Sequence, residues 1–206
     1  MRIGIYGGTF NPIHSGHLHI LQEFIRRLRL ELVLLIPTRV PPHKEAAQLA
    51  DAQDRIQMCR LAAETLRGAR VEVSDVEIRR EGRSYTAETL EQLQKEYPGE
   101  ELFLLMGEDM FLTVNRWYRP ETIFALATVC ASPRGGSLKQ LEDKKRELET
   151  GFRARCIVED IPYREVSSTE IRRLAGAGEP LGALVPAAVA AYIAEHGIYR
   201  EERECP

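Results

Sequence analysis

Residues 2–17 read RIGIYGGTFNPIHSGH, and residues 18–36 continue LHILQEFIRRLRLELVLLI. Arg2 to Tyr6 is a short, mostly apolar run of the kind a buried strand needs, and Gly7-Gly8 ends it. From Ser15 to about Arg29 the residues Leu18, Leu21, Phe24, Ile25 and Leu28 recur at helical spacing. Leu32 to Ile36 is continuously apolar and stops at Pro37, the pattern of a strand covered on both faces. Strand, helix and strand in this order make a βαβ unit, which implies a parallel pair of strands joined by a crossover helix.

The alternation continues along the chain. Pro37 to Ala50 reads as a loop, because Pro41-Pro42 cannot sit inside a helix. Asp51 to Arg67 reads as an amphipathic helix closed by Gly68, Val71 to Ile78 as an alternating strand, and Thr86 to Tyr97 as a helix closed by Pro98-Gly99. Leu102 to Met106, Ala127 to Ala131 and Arg155 to Val158 are further strands. Lys139 to Thr150 is a charged helix with a solvated face, and Ser168 to Leu174 and Pro186 to His196 are the closing helices. The expected fold class is α/β. It is a Rossmann-like, doubly wound, mostly parallel sheet with helices on both faces and a small C-terminal helical part from about residue 167. All of it lies in a single domain over residues 1–206. Ligands of such sheets bind outside the C-terminal ends of the strands.

Bulk properties narrow the function. The 206 residues are 44% hydrophobic and 29% charged, with a formal net charge of −3. That balance offers nucleic acid and anionic membranes no general attraction, so any phosphate site has to be local. No segment approaches the roughly 20 apolar residues of a membrane span, and the N-terminus lacks the pattern of a signal peptide. Cys59, Cys130, Cys156 and Cys205 are far apart and match no metal-ligand spacing. They read as reduced thiols of a cytoplasmic protein.

The stretch after the first strand carries the chemistry. Gly7 and Gly8 let the backbone approach a ligand. The helix start that follows offers free N–H groups and a positive dipole end to an anion. His14 and His17, at i and i+3, place two rings on one face, and Gly16 between them leaves room for a group to approach. Neither a G-x-G-x-x-G fingerprint nor a P-loop is present. Near the C-terminus stands Val166-Ser167-Ser168-Thr169-Glu170-Ile171-Arg172. Ser168 or Thr169 is the expected helix cap, and Arg172 falls one turn later on the same side, so hydroxyls, N–H groups and a guanidinium make a second anion site.

Gly7 to His17 resembles the signature of the nucleotidyltransferase superfamily whose motif reads H-x-G-H. Val166 to Arg172 resembles that superfamily's second motif, I-S-S-T-x-I-R, with valine for the leading isoleucine. The resemblance implies that His14, His17 and Arg172 act on the phosphates of a nucleoside triphosphate. It also implies ATP contacts at Gly8, Thr9, Phe10, Gly107, Asp109, Ser168 and Thr169. Mg²⁺ is expected on the ATP phosphates, with no metal site built from the protein.

The middle of the chain resembles the bacterial nicotinate-mononucleotide adenylyltransferases. The matches are Pro41 to Lys44, Arg83 to Leu90, Met106 to Asp109, and Trp117. The implied reaction transfers AMP from ATP to nicotinate mononucleotide, giving nicotinate adenine dinucleotide and pyrophosphate in NAD biosynthesis. The implied acceptor site comprises Gly7, Gly8, Lys44, Tyr85, Thr86, Trp117 and Arg134. Independently of the resemblance, a planar cationic pyridine suits an aromatic face such as Trp117. Tyr85 and Thr86 open a helix whose N–H groups suit a carboxylate. One departure stands out: where the family shows Arg-Pro-Gly, this chain reads Ser132-Pro133-Arg134-Gly135, which assigns the acceptor phosphate to Arg134 from a shifted position.

The attacking phosphate is largely ionised near neutral pH, so neither a strong base nor a protein nucleophile is required. The task is to align two anions and absorb charge as pyrophosphate leaves. The alternatives are transfer to nicotinamide mononucleotide, cytidylyl transfer, and a catalytically silent nucleotide sensor. A sensor is expected to lose a motif histidine or the last arginine, and this chain has all three. A homo-oligomer is left open. Loops 37–50 and 107–119 are expected to order over the ligands.

Overall fold

The computed structural model describes residues 1–39, 49–135 and 137–200. The chain begins with β1 (Arg2–Gly8), α1 (Ser15–Leu28) and β2 (Leu32–Pro37), the unit that the opening stretch predicts. It continues through α2 (Ala52–Ala63), β3 (Arg70–Val73), α3 (Val76–Arg79) and α4 (Thr86–Glu96) to β4 (Glu101–Gly107). Next come α5 (Glu108–Thr113), a 3₁₀ turn (Val114–Arg116), α6 (Pro120–Leu126) and β5 (Ala127–Ser132). The last part holds α7 (Leu138–Phe152), β6 (Arg155–Val158), α8 (Ser168–Ala177), a second 3₁₀ turn (Gly182–Leu184) and α9 (Ala187–Glu195).

The strands form one sheet in the order β3-β2-β1-β4-β5-β6, and every pairing is parallel. The chain first winds outward from β1 to β3, then returns to β4 on the other side of β1. The order therefore reverses between β1 and β4, and the crevice at their C-terminal ends is where such sheets take ligands. Gly7-Gly8 and Gly107 stand at those two ends.

Alternation along the strands feeds two cores. Val33, Leu35, Phe103, Leu105 and Cys130 face α1, α2, α8 and α9, where they meet Leu21, Phe24, Met58, Ile171 and Val189. Ile3, Ile5, Leu34, Leu104 and Val129 face α4 to α7, where they meet Leu90, Phe111, Ile123 and Leu148. A fully buried aliphatic side chain contributes roughly 1.5–3 kcal/mol, so these two layers supply most of the driving force. The charged helix α7 joins them through a narrow stripe, with Leu141 and Leu148 buried and most of its other residues at least partly exposed to solvent.

Three expectations change. The strand expected over 71–78 ends at Val73: the Ser74 N–H still bonds Leu35 O at 3.0 Å, then the chain turns into α3, which buries Val76 and Glu77. The segment 107–119, expected as a loop, is mostly α5 and a 3₁₀ turn, because Phe111 and Val114 are buried one turn apart. Helix α6, not foreseen, starts with Pro120 in its first turn and buries Ile123 and Phe124. The expected loop 37–50 lies largely outside the described residues.

Candidate active site

The loop from Gly8 to His14 is built from the inside outward. Phe10 is buried at 3% exposure with φ 46°, and its ring takes the space that a Cβ on Gly8 would need, 2.9 Å away. Gly8 therefore makes room for the Phe10 ring. The Phe10 ring stands edge-on to His17, with centroids 5.4 Å apart. Gly16 is also filled from within. A Cβ there would meet the His14 ring at 3.1 Å and Arg164 O at 3.4 Å, so the space expected for an approaching group is occupied by the histidine itself.

His14 is the N-cap of α1 and His17 is its third residue. The His17 N–H donates to His14 Nδ1 at 3.3 Å, and the His14 N–H donates to His17 Nδ1 at 3.3 Å. The rings stack with centroids 3.6 Å apart and planes 22° from parallel. A ring nitrogen that accepts an N–H holds no proton, so each neutral ring carries its proton on Nε2, a donor suited to a phosphate oxygen. Burial, helped by the charge of Arg134, lowers the His14 pKa to about 4, which keeps that ring neutral at physiological pH. Histidine capping a helix through its ring is a role the motif spacing does not announce.

Asn11 ties this loop to the rest of the chain. Its Oδ1 accepts the Ala50 N–H at 3.0 Å and the Tyr199 hydroxyl at 2.8 Å, and its carbonyl accepts Arg172 Nη1 at 2.9 Å. Arg172 Nη2 donates to Thr169 Oγ1 at 3.3 Å, and Ser168 Oγ donates to Pro12 O at 3.0 Å. These contacts bring the start of α8 against the start of α1, so the two motifs far apart in sequence share one corner. The cap of α8 is Ser167, whose Oγ accepts the Thr169 N–H at 3.2 Å, rather than Ser168 or Thr169. Both of those hydroxyls are thereby released for other contacts.

Behind the loop lies Arg55, 1% exposed. Its guanidinium donates to Thr9 O at 2.8 Å, Thr38 O at 2.6 Å, Arg39 O at 3.2 Å and Ala50 O at 3.2 Å. One side chain thus joins the loop after β1 to the end of β2 and to the start of α2. In sequence it is an ordinary helical arginine, and nothing in its local pattern signals burial.

On the other side of the crevice, Gly107 is the N-cap of α5 and Asp109 lies in its first turn, 73% exposed at the side chain. Glu108, buried at 6%, accepts the Arg134 N–H at 2.7 Å. Arg134 Nη1 lies 3.6 Å from Asp109 Oδ2, and its Nε donates to the Tyr163 hydroxyl at 3.2 Å. Arg134 also acts on the ionisation of His14 and Tyr6, which places its charge within electrostatic range of the histidine corner.

Tyr85 is the N-cap of α4, and Thr86 is its first residue. The Tyr85 ring meets Tyr118 at 4.4 Å, and Arg119 pairs with Glu91 of α4 through two bonds of 2.6 and 3.1 Å. The segment Trp117-Tyr118-Arg119 is therefore held against the start of α4. Trp117 is half-buried against the second core, and Tyr118 is 49% exposed. Tyr118, not selected from the sequence, is an aromatic neighbour of Tyr85. Lys44 lies outside the described residues. Cys59, Cys130 and Cys156 are buried free thiols.

Residues 5–174 match the cytidylyltransferase-like family, and the chain belongs to it. A protein of Clostridium tetani described as "Probable nicotinate-nucleotide adenylyltransferase" is 36% identical over 95% of this chain and 98% of its own length. One of Neisseria meningitidis with the same description is 39% identical over 97% of this chain and 99% of its own length. Within the wider class, the chain is thus a member of the nicotinate-nucleotide adenylyltransferase family. The structure of Plasmodium falciparum nicotinic acid mononucleotide adenylyltransferase complexed with NaAD shares the fold. Its TM-score is 0.77 at 18% identity, covering 96% of this chain and 97% of that one.

Proposed function

We propose that this chain transfers AMP from ATP to nicotinate mononucleotide, forming nicotinate adenine dinucleotide and releasing pyrophosphate. The observation that carries this reading is the reciprocal cap of His14 and His17, which engages Nδ1 of both rings and leaves Nε2 of each to face a ligand at the β1–β4 crevice. An acceptor phosphate oxygen attacks the α-phosphorus, and the bond to the bridging oxygen of the β-phosphate breaks. Charge accumulates on the phosphoryl oxygens and the leaving pyrophosphate, and donors fixed in advance are what lower such a barrier.

In this reading His14 and His17 donate to the triphosphate near the reacting phosphorus. Arg172, with Ser168 and Thr169, holds the β- and γ-phosphates. The backbone of Gly8, Thr9 and Phe10 borders the nucleotide, with the Phe10 ring buried beneath it. Gly107 and Asp109 take the ribose side of ATP. Gly7, Lys44 and Arg134 serve the acceptor phosphate, while Tyr85, Thr86 and Trp117 hold the nicotinate ring and its carboxylate.

Among the described residues no group of three His, Cys, Asp or Glu could hold a metal ion. The side chains at the histidine corner are donors suited to anions. Mg²⁺ in this reading arrives bound to the ATP phosphates, where it neutralises part of their charge.

The test is pyrophosphate release from Mg²⁺-ATP, with nicotinate and nicotinamide mononucleotides offered in parallel. Strong preference for the nicotinate substrate is expected. Equal use of both would remove the carboxylate site at the start of α4, and release with neither would overturn the reading.

A further inference from the structure

At Ser132-Pro133-Arg134-Gly135 the chain carries its arginine after the proline, where the Arg-Pro-Gly pattern carries it before. Arg134 lies beyond the end of β5 at Ser132, so strand geometry does not set its direction. Here two groups do so. Buried Glu108 accepts the Arg134 backbone N–H at 2.7 Å, which fixes the main chain. Tyr163, on the segment between β6 and α8, accepts Arg134 Nε–H at 3.2 Å, and the guanidinium carbon lies 5.7 Å from the centre of its ring. Tyr163 thus holds the guanidinium by hydroxyl and by ring face together.

We propose that Tyr163 is a positioning residue for the acceptor phosphate: it aims Arg134 at a phosphate monoester dianion, and so compensates for the displaced arginine. The proposal rests on the reading of this crevice as an adenylyltransferase site. With Nε bound to Tyr163, the two terminal nitrogens remain as the fork that can grip a phosphate in bidentate fashion. Their present neighbour, Asp109, is a poor competitor. Its oxygen is 3.6 Å away, beyond a normal hydrogen bond, and both side chains are at least half exposed, 52% for Arg134 and 73% for Asp109. An arriving dianion displaces that contact readily. Without Tyr163 the arginine regains rotamer freedom, and that loss of order is felt by the phosphate it binds and by little else.

The experiment measures KM for nicotinate mononucleotide and for ATP in wild type, Tyr163→Phe, Tyr163→Ala, Arg134→Ala and the Tyr163→Phe/Arg134→Ala pair. Tyr163→Phe keeps the ring and removes only the hydroxyl. It is expected to raise KM for nicotinate mononucleotide roughly tenfold, the scale of one hydrogen bond to a charged group. KM for ATP should stay within about twofold, and Tyr163→Ala should do more than Tyr163→Phe. In the Arg134→Ala background the phenylalanine change should have no further effect, a coupling that a merely structural tyrosine would not show. If Arg134→Ala raises the acceptor KM and Tyr163→Phe does not, the positioning role is overturned while the active-site reading stands. Equal rises in both KM values would mark Tyr163 as structural. An unchanged acceptor KM in Arg134→Ala would remove the arginine's assignment and this proposal with it. Absence of pyrophosphate release in wild type would instead overturn the functional reading itself.

Discussion

The two ends of the crevice are built by different means. At the histidine corner almost every contact is a hydrogen bond to backbone: His14 to His17, Arg172 to Asn11 O, Ser168 to Pro12 O, and Arg55 to four carbonyl oxygens. At the start of α4 the contacts are ring on ring, Tyr85 against Tyr118, together with the part-exposed Arg119–Glu91 pair. The first end is fixed before any ligand arrives, as the placement of charge-absorbing donors demands. The second is held by a tilted ring contact, which tolerates small displacements and suits a flat ring. The difference predicts that changes at the first end act on stability and turnover, and that changes at the second act on the affinity of one substrate.

The largest effect is expected at Arg55. Arg55→Met removes the donors to Thr9 O, Thr38 O, Arg39 O and Ala50 O from a buried site. The cost is set at about 3–5 kcal/mol by analogy with other buried charge networks, and urea denaturation measures it. A loss below about 1 kcal/mol would mean that water replaces the arginine without difficulty, and would break the contrast.

His17→Ala comes next. It removes the donor that the proposed reaction assigns to the phosphates and one cap of α1, and kcat for pyrophosphate release should fall about 10²–10³-fold. Stability should drop by only about 1 kcal/mol for the lost cap. Near-normal kcat would remove the histidine from the reaction.

The neutrality of His14 gives a pH signature. Its folded pKa is about 4 against an ordinary 6.5. The unfolded chain therefore takes up that proton first as the pH falls. The contribution to stability is full above about pH 6.5 and is lost progressively down to about pH 4. It amounts to up to about 3 kcal/mol. Denaturation curves across this window should fall more steeply for wild type than for His14→Gln; parallel curves would show that the ring is not held neutral.

The smallest effect tests the aromatic end. Trp117→Ala should raise KM for nicotinate mononucleotide roughly tenfold, the order of one lost stacking contact, and leave KM for ATP nearly unchanged. Equal rises for both substrates would make Trp117 a core residue of the whole site.

Much of this arrangement is legible in the sequence, and the unreadable part has a physical cause. The βαβ unit of residues 2–36 is plain because its apolar spacing switches from continuous to helical and back. The two motifs that meet at the histidine corner are visible because glycines, histidines and a Ser-Thr pair stand at element boundaries. The segment 107–119 misleads because its polar residues are conspicuous, while the Phe111–Val114 pair that seats it on the core is short. Val71 to Ile78 alternates like a strand, yet Glu77 is buried in a turn of helix, where it accepts the Thr89 hydroxyl at 3.0 Å. Arg55, Tyr163 and Tyr199 are not recognisable in sequence, because each acts through a partner more than 20 residues away that only the fold supplies.

That long reach has a consequence for how the protein is made. Ser168 bonds a carbonyl 156 positions earlier, Arg172 one 161 positions earlier, and Tyr199 a side chain 188 positions earlier. The glycine loop leaves the ribosome well before the residues that fasten it. A growing chain can pair its strands and bury much of its apolar surface before α8 and Tyr199 are present to fasten the loop, so this corner closes later than the sheet beneath it.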